Sequence, residues 1–244
     1  MTRPVRRCIS SGGRGSGVTA LSDLIFTGGA LAVAVPADAA AALPAERLIL
    51  PPDEEARIAR FRQAQDRHER AAAHGLLRHL LGSWLGRDPG AIVLERDAGG
   101  RPFLPGTPDL DFNLSHGGGW IAVGLSTSGR IGVDVEGAAR PVDWDGVAPI
   151  FLHPAELATY RGLPAGARPR RALEFWSVKE ACLKATGEGL VAEPRSVCLT
   201  QDGAAWRLAR AGLSLLAASR VLPDGARFAW AVEEGVEVAV VVAG

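Results

Sequence analysis

The chain has 244 residues, 47% of them hydrophobic, and its 27 basic side chains balance 27 acidic ones. A chain of this length and composition can bury one large core or two smaller ones, which excludes disorder of the whole chain. The absence of net charge argues against a nucleic-acid-binding or membrane-surface protein, so we expect neither partner.

The cysteines and the N-terminus predict a cytoplasmic protein. Cys8, Cys182 and Cys198 lack the paired spacing of a disulfide framework or a zinc site. Residues 1–20 are rich in Gly, Ser and Arg, and we interpret them as a disordered tail rather than an export signal. No stretch of the sequence is long and apolar enough to span a bilayer.

The first half of the chain predicts a strand, two helices and then further strands. The apolar run Leu24–Val35 predicts a first strand, and a Gly/Pro-rich connector from Gly99 to Pro108 separates the helices from the later strands. The remaining signals are an acidic helix start at Asp53, a capping box Asp66-x-x-Glu69 that opens a helix through Leu85, and short strands at Asp111–Ser115 and Trp120–Ser126.

The second half predicts a similar mixture of helices and strands. The expected elements are a strand at Arg130–Glu136, helices near Pro154–Arg161 and Arg170–Thr186, and strands near Ser196–Thr200, Arg227–Val232 and Val236–Val242. We therefore predict an α+β fold of two similar halves, residues 21–128 and 129–244, related by a pseudo-twofold axis. The site is expected in the cleft between the halves.

The two lysines of the chain mark a candidate site. Lys179 and Lys184 both lie in Phe175-Trp-Ser-Val-Lys-Glu-Ala-Cys-Leu-Lys184, whereas every other basic residue is an arginine. Two ammonium groups kept beside Glu180 suggest a site that needs compact point charges. The alternative is an ordinary exposed pair of Glu180 and Lys184 on a helix.

The strand Arg130–Glu136 predicts a metal site. Alternation places Asp134 and Glu136 on one face with Gly132, so two carboxylates project together. Carboxylates at this spacing can hold Mg²⁺ beside phosphate oxygens, with water completing the coordination. The alternative is the solvated face of an edge strand.

The segment Phe112-Asn-Leu-Ser-His116, followed by three glycines, suggests phosphate recognition. Glycines permit close backbone approach to a ligand, and Ser115 and His116 can donate to phosphate oxygens. A Ser/His nucleophilic pair is the competing interpretation. It is disfavoured because adjacent side chains on a strand point to opposite faces.

Taken together, these segments resemble the ordered signature of 4′-phosphopantetheinyl transferases of the Sfp type. The matching motifs are Gly99-Gly-Arg-Pro102, Asn113-Leu-Ser-His116, Ile131-Gly-Val-Asp-Val-Glu136, and Trp176-Ser-x-Lys-Glu-Ala with Lys184 and Gly187-x-Gly189. The Trp-Ser-x-Lys-Glu-Ala form resembles the branch that acts in polyketide, nonribosomal peptide and related lipid synthesis. The resemblance covers the chain from about Leu24 onward.

The resemblance implies transfer of the phosphopantetheine arm from coenzyme A to a serine of an acyl or peptidyl carrier protein, releasing adenosine 3′,5′-bisphosphate. It implies Glu180 and Lys184 as catalytic residues, and Mg²⁺ held by Asp134, Glu136 and Glu180. It also implies a set of coenzyme A contacts: Lys184 at the pyrophosphate, Lys179 gripping coenzyme A, Ser115 and His116 near the ribose 3′-phosphate, and Arg101 at another phosphate. Arg57, Arg60 and Arg67 match the basic N-terminal stretch of the family loosely, and of these we take Arg60 as a coenzyme A contact.

Two other classes of protein stay open at this stage. A Mg²⁺-dependent nuclease or phosphohydrolase could use the same acids, although a nuclease would normally show a basic groove. A non-catalytic carrier-binding protein would use the carboxylates only structurally. For the transferase, two halves in one chain could complete a site, so we expect a monomer.

Overall fold

The computed structural model describes residues 24, 26–41, 50–138, 141–188 and 193–243. The predicted disordered tail and Cys8 lie outside these residues. The strands are β1 Ala30–Pro36, β2 Glu95–Arg96, β3 Pro102–Phe103, β4 Asp111–Gly117, β5 Trp120–Ser126, β6 Ile131–Glu136, β7 Thr200–Asp202, β8 Ala205–Arg210, β9 Leu213–Val221, β10 Arg227–Glu233 and β11 Val238–Val242. The helices are α1 Ala37–Ala41, α2 Pro52–Ile58, α3 Ala64–Leu85, α4 Trp144–Phe151, α5 Pro154–Arg161 and α6 Arg168–Thr186.

The first lobe is a four-stranded sheet in the order β11-β1-β5-β4, with α1 to α3 beside it. Strand β1 alternates branched and small residues, because Leu31, Val33 and Val35 pack in one core with the leucines of α3. Ala32 and Ala34 face the opposite way and contact the second sheet. Alternation of this kind is what a strand buried on both faces requires.

The second lobe is a five-stranded antiparallel sheet in the order β6-β10-β9-β8-β7, with α4 to α6 packed against it. Each lobe is thus one sheet with one long helix, and the α+β prediction is confirmed. Strand β11 falls in the predicted second half but pairs in parallel with β1 of the first sheet. The chain therefore returns to the first lobe at its end, which the predicted boundary at residue 129 does not capture.

One strand and one helix begin at residues other than those predicted from the sequence. Strand β1 begins at Ala30 rather than near Leu24, after Gly28 and Gly29 adopt positive φ of 112° and 79°. The capping box at Asp66 does not form. Helix α3 starts earlier, after Gln63, and Glu69 instead accepts a hydrogen bond from the backbone N–H of Gly119 at 2.7 Å.

Strands β8 and β9 and helix α4 were not expected from the sequence. The β8–β9 segment is rich in Ala and Leu, which favours helix in isolation. A two-residue turn at Ala211 and Gly212, both with positive φ (51° and 76°), makes it a hairpin in which Arg210 pairs with Leu213. No helix in the described part of the chain is both long enough and apolar enough to cross a membrane.

Candidate active site

The candidate site lies where helix α6 crosses strand β6. A Cβ atom on Gly132 would overlap the carbonyl oxygen of Ala181 and lie 2.6 Å from the backbone nitrogen of Ala185. Only glycine therefore allows the helix backbone to rest directly on the strand. This contact brings the face of α6 that carries Glu180 and Lys184 beside the carboxylates of β6.

Asp134, Lys184 and Ser115 form a hydrogen-bonded cluster at this crossing. The Lys184 ammonium lies 2.7 Å from Asp134 Oδ1 and also donates to Ser115 Oγ (3.0 Å) and to the carbonyl of Val133 (3.2 Å). The Ser115 hydroxyl donates to the same Asp134 oxygen at 3.0 Å. Asp134 Oδ2 is buried and has no hydrogen-bond partner among the described residues. A buried carboxylate oxygen without a partner is costly unless a ligand completes it.

The other two predicted metal ligands experience the charge of Asp134. Burial, together with the negative charge of Asp134, raises the pKa of Glu136 to about 7. A hydrogen bond of 2.8 Å donated by Trp176 Nε1 opposes this rise. Burial and then Asp134 also raise the pKa of Glu180. Mutual repulsion among carboxylates is what a bound cation relieves.

The residue types at this crossing fit Mg²⁺, which prefers carboxylate oxygens and water. Asp134 Oδ2 is the available ligand atom, and Glu136 and Glu180 are its acidic neighbours. Within the described residues, no three Asp, Glu, His or Cys side chains already converge on one metal position. Side-chain rotation or bridging water would complete the coordination of the ion.

Lys179 is not brought into this cluster. Its side chain is fully buried, and its ammonium lies 2.7 Å from Glu156 Oε2 and donates to the carbonyls of Pro194 (2.9 Å) and Val197 (2.6 Å). No part of the Lys179 side chain is exposed, so a ligand cannot reach its ammonium group without displacing the core, whereas Lys184 is 24% exposed. The prediction that Lys179 grips coenzyme A therefore does not fit its position, because it links α6 to α5 and to the chain before β7.

Arg101 lines a second cavity, of about 350 Å³, but its guanidinium nitrogens bond to protein groups. Its Nη2 donates to both carboxylate oxygens of Asp111 at 2.8 Å and to the carbonyl of Ile131 at 3.0 Å, and its Nη1 donates to the carbonyl of Lys184. The guanidinium thus joins the two lobes. This arrangement does not support the expected phosphate contact of Arg101.

His116 lines a separate cavity of about 190 Å³. The lining side chains are Arg70, Ala73, His74, Arg96, Pro102, Asn113, Leu114 and His116. Burial, together with the positive charges of Arg70 and Lys184, lowers the pKa of His116 to about 4. The cavity is therefore basic and suited to an anion. Ser115 points instead to Asp134, so the structure separates the two neighbours, as strand alternation requires.

Arg70 and Arg96 were missed by the sequence analysis, whereas Arg60 was expected and does not line this cavity. Arg60 follows α2 and is exposed. Arg70, Ala73 and His74 have the spacing of one helix face, so helical periodicity could have identified Arg70 once α3 was placed. Arg96 lies in the short strand β2, and its position depends on pairing with β3 that no local signal predicts.

Comparison with known proteins gives a consistent result along most of the chain. A model of the 4′-phosphopantetheinyl transferase superfamily matches residues 130–239, and a model of the N-terminal part of 4′-phosphopantetheinyl transferase matches residues 40–128. The chain is 33% identical over 167 residues to the 4′-phosphopantetheinyl transferase HetI of Nostoc sp.. The match covers 64% of this chain and 70% of HetI.

Two further relatives carry related names. A phosphopantetheinyl transferase of Thraustochytrium sp. is 35% identical over 57% of this chain, and the match spans about half (52%) of that protein. The 4′-phosphopantetheinyl transferase Sfp of Bacillus subtilis is 28% identical over 62% of this chain and 67% of its own length.

Proposed function

The chain belongs to the 4′-phosphopantetheinyl transferase superfamily, and we propose that it transfers the phosphopantetheine arm of coenzyme A to a serine of an acyl or peptidyl carrier protein. The observation that carries the proposal is the unpartnered oxygen of Asp134 beside Lys184, where β6 and α6 cross. A site with one available carboxylate oxygen, two acidic neighbours and one ammonium group suits a cation and a pyrophosphate together.

We assign the site residues as follows. Asp134, Glu136 and Glu180 would hold Mg²⁺, which when bound neutralises charge on the pyrophosphate. Lys184 contacts the same phosphate charge. The basic cavity lined by Arg70, Arg96 and His116 receives the ribose 3′-phosphate of coenzyme A. These positions support coenzyme A as the co-substrate.

In the reaction, the hydroxyl oxygen of the carrier serine attacks the phosphorus that bears the pantetheine arm. The bond from that phosphorus to the bridging oxygen breaks, and adenosine 3′,5′-bisphosphate leaves with the electron pair. Glu180 accepts the serine proton, directly or through water.

The partner follows from this chemistry. A carrier protein presents its serine beside an acidic helix, so we expect it to approach an apolar patch rimmed by arginines near the cleft. Ile150 on α4 is 69% exposed, and Arg161 and Arg170 are exposed nearby in the sequence. A monomeric, cytoplasmic enzyme acting without nucleic acid or membrane is part of the same proposal.

Intact-mass spectrometry tests the function directly. Several apo carrier proteins are incubated with the protein, coenzyme A and Mg²⁺, with EDTA and with Glu180→Gln as separate arms. The expected result is a mass gain of one phosphopantetheine group with wild-type protein and Mg²⁺. No gain is expected with EDTA or with Glu180→Gln. Glu174→Gln is the matched control, because Glu174 lies on the same helix but bonds Arg171 and Ser219.

Two outcomes would contradict the proposal. Breakdown of coenzyme A without modification of any carrier would favour the phosphohydrolase alternative. Intact coenzyme A and unmodified carriers, with the protein folded and bound to a carrier, would favour the non-catalytic carrier-binding alternative.

A further inference from the structure

Strand β6 has one edge that no other strand pairs with by backbone hydrogen bonds in the described structure. Its other edge pairs with β10, and β6 ends the order of the second sheet. In an antiparallel pair, the peptide groups of alternate residues point away from the partner strand. In residues 131–133, the first half of β6, these are the groups of Ile131 and Val133, which face strand β4 of the first lobe.

Side chains of β4 accept hydrogen bonds from both outward N–H groups. Ile131 N–H donates to Asp111 Oδ2 at 2.8 Å, and Val133 N–H donates to Asn113 Oδ1 at 3.0 Å. Asp111 and Asn113 are two residues apart on β4, as Ile131 and Val133 are on β6. Side-chain hydrogen bonds therefore align β4 with β6 residue by residue, although the two strands belong to different sheets.

Cationic side chains donate to both outward carbonyls. The carbonyl of Ile131 accepts from Arg101 Nη2 at 3.0 Å, and the carbonyl of Val133 accepts from Lys184 Nζ at 3.2 Å. The four outward backbone groups of Ile131 and Val133 thus each have a side-chain partner. We call Arg101, Asp111 and Asn113 the inter-lobe clasp.

The clasp connects to the candidate active site in two places. Val133 directly precedes Asp134, so the bond from Asn113 fixes the backbone that carries this carboxylate. Arg101 donates to the carbonyl of Lys184 in the last turn of α6, which also accepts a hydrogen bond from the backbone N–H of Gly187 at 3.2 Å. Arg101 is itself oriented by two bonds to the carboxylate of Asp111.

We propose that Arg101, Asp111 and Asn113 are positioning residues, which hold β6 and the end of α6 against β4 so that Asp134 and Lys184 keep their places. This inference rests on the proposed function, and it assigns Arg101 a different role from the phosphate contact expected from the sequence. None of the three needs to contact coenzyme A.

A double-mutant cycle of Arg101→Met and Asp111→Asn tests the clasp. We expect each single variant to lower kcat by roughly 10- to 100-fold while the Kd of coenzyme A, measured by calorimetry without carrier, changes less than about threefold. Asn at position 111 keeps an acceptor for the Ile131 N–H but loses the charge that orients Arg101. The double variant should therefore be no slower than Arg101→Met alone.

Arg96→Met is the matched comparison. Arg96 is also an arginine of the β2–β3 hairpin region, it donates to the carbonyl of Gly100, and it lines the basic cavity with His116. Its loss should raise the Kd of coenzyme A and affect 3′-dephospho-coenzyme A much less. An Arg101→Met variant that behaves like Arg96→Met would overturn the proposal, as would additive effects of Arg101→Met and Asp111→Asn on kcat.

Arg101→Lys carries the test if Arg101→Met does not fold. A lysine can replace an arginine that meets a phosphate as a point charge. Its single nitrogen cannot occupy the two positions of Nη1, which bonds the Lys184 carbonyl, and Nη2, which bonds Asp111 and the Ile131 carbonyl. We expect kcat of Arg101→Lys to stay at least about fivefold below wild type with the Kd of coenzyme A unchanged. Near-normal kcat would refute the clasp.

Failure of the proposed function has a different signature. Wild-type protein that modifies no carrier would contradict the transferase proposal, but this result would not test the clasp. In that case the Kd of Mg²⁺, measured by calorimetry, replaces kcat as the readout of Asp134 placement, and the same non-additive pattern is expected.

Discussion

The two lysines of α6 lie five residues apart and have opposite surroundings. Lys184 is 24% exposed and binds Asp134 and Ser115 at the junction of the two lobes. Lys179 is fully buried and binds Glu156 and two backbone carbonyls, all within the second lobe. One helix thus uses the same residue type once for the candidate site and once for the core.

Helix geometry explains the difference. With about 3.6 residues per turn, five residues rotate the side-chain direction by roughly 140°, whereas the four residues from Glu180 to Lys184 rotate it by roughly 40°. Glu180 and Lys184 therefore share a face that Lys179 does not. Residue type identifies the functional segment, but rotation along the helix decides which of its residues can reach a ligand.

Lys184→Met is the change with the largest expected effect. It removes the ammonium group beside Asp134 and should lower the rate of carrier modification by about 10³-fold. The free energy of unfolding in urea should fall less than in Lys179→Met, because Lys184 is 24% exposed whereas Lys179 is fully buried. A variant with near-normal turnover would remove Lys184 from the mechanism.

Lys179→Met should affect stability more than function, the reverse of what we expect for Lys184→Met. Removing one member of a buried ion pair leaves Glu156 uncompensated and should lower the free energy of unfolding by about 3–5 kcal/mol. The fraction that stays folded should bind coenzyme A normally by calorimetry. The double variant Lys179→Met with Glu156→Gln is the control, and it should recover part of the stability.

A stable Lys179→Met variant with weaker coenzyme A binding would reverse this comparison. Lys179 would then act on the ligand in a conformation that exposes its ammonium group, and the two lysines would belong to one site.

The comparison also shows what the sequence could predict. Helix α6 was expected at Arg170–Thr186 and spans Arg168–Thr186, and the shared face of Gly132, Asp134 and Glu136 is confirmed by the packing of α6 on β6. These are local periodicities, which a sequence carries directly. The expected coenzyme A contact of Lys179 rests on residue type alone, and the buried position of its side chain does not support it.

Long-range pairing accounts for most of the rest. The return of β11 to the first sheet and the partners of Arg101 join residues that are distant in the chain. The β8–β9 hairpin is set by the turn at Ala211 and Gly212 rather than by composition. Arg96 reaches the basic cavity only because β2 pairs with β3.

Gly132→Ala tests the contact that brings Lys184 to β6. The added methyl group would overlap backbone atoms of α6, which cannot move as a side chain could, and overpacking of this kind costs about 1–3 kcal/mol. We expect lower stability in urea together with a fall in kcat, because α6 must shift away from Asp134. Gly166→Ala is the control, since nothing lies near its added Cβ, and an unchanged Gly132→Ala would refute the direct packing.

Lowering the pH should reduce the free energy of unfolding through a buried ion-pair cluster of the first lobe. This effect is smallest at neutral pH. Glu54 is buried, with Arg78 Nη2 and His74 Nδ1 each 2.6 Å from its carboxylate oxygens. Burial alone would raise the pKa of Glu54, but His74 and Arg78 outweigh it and lower the pKa from 4.5 to about 2. Because the pKa is lower in the folded state, this stabilisation is complete above pH 4.5 and declines as the pH falls towards 2.

Urea unfolding at pH 5 and at pH 3 measures this loss, and Glu54→Gln should show a smaller fall between the two pH values than wild type. Glu55→Gln, at the exposed neighbour on α2, should keep the wild-type fall. Equal falls in the free energy of unfolding of wild type and Glu54→Gln would mean that the cluster does not stabilise the charged carboxylate of Glu54. The buried pair of Lys179 and Glu156 would then be the more persuasive example of a core ion pair in this fold, because its cationic partner has no solvent contact at all.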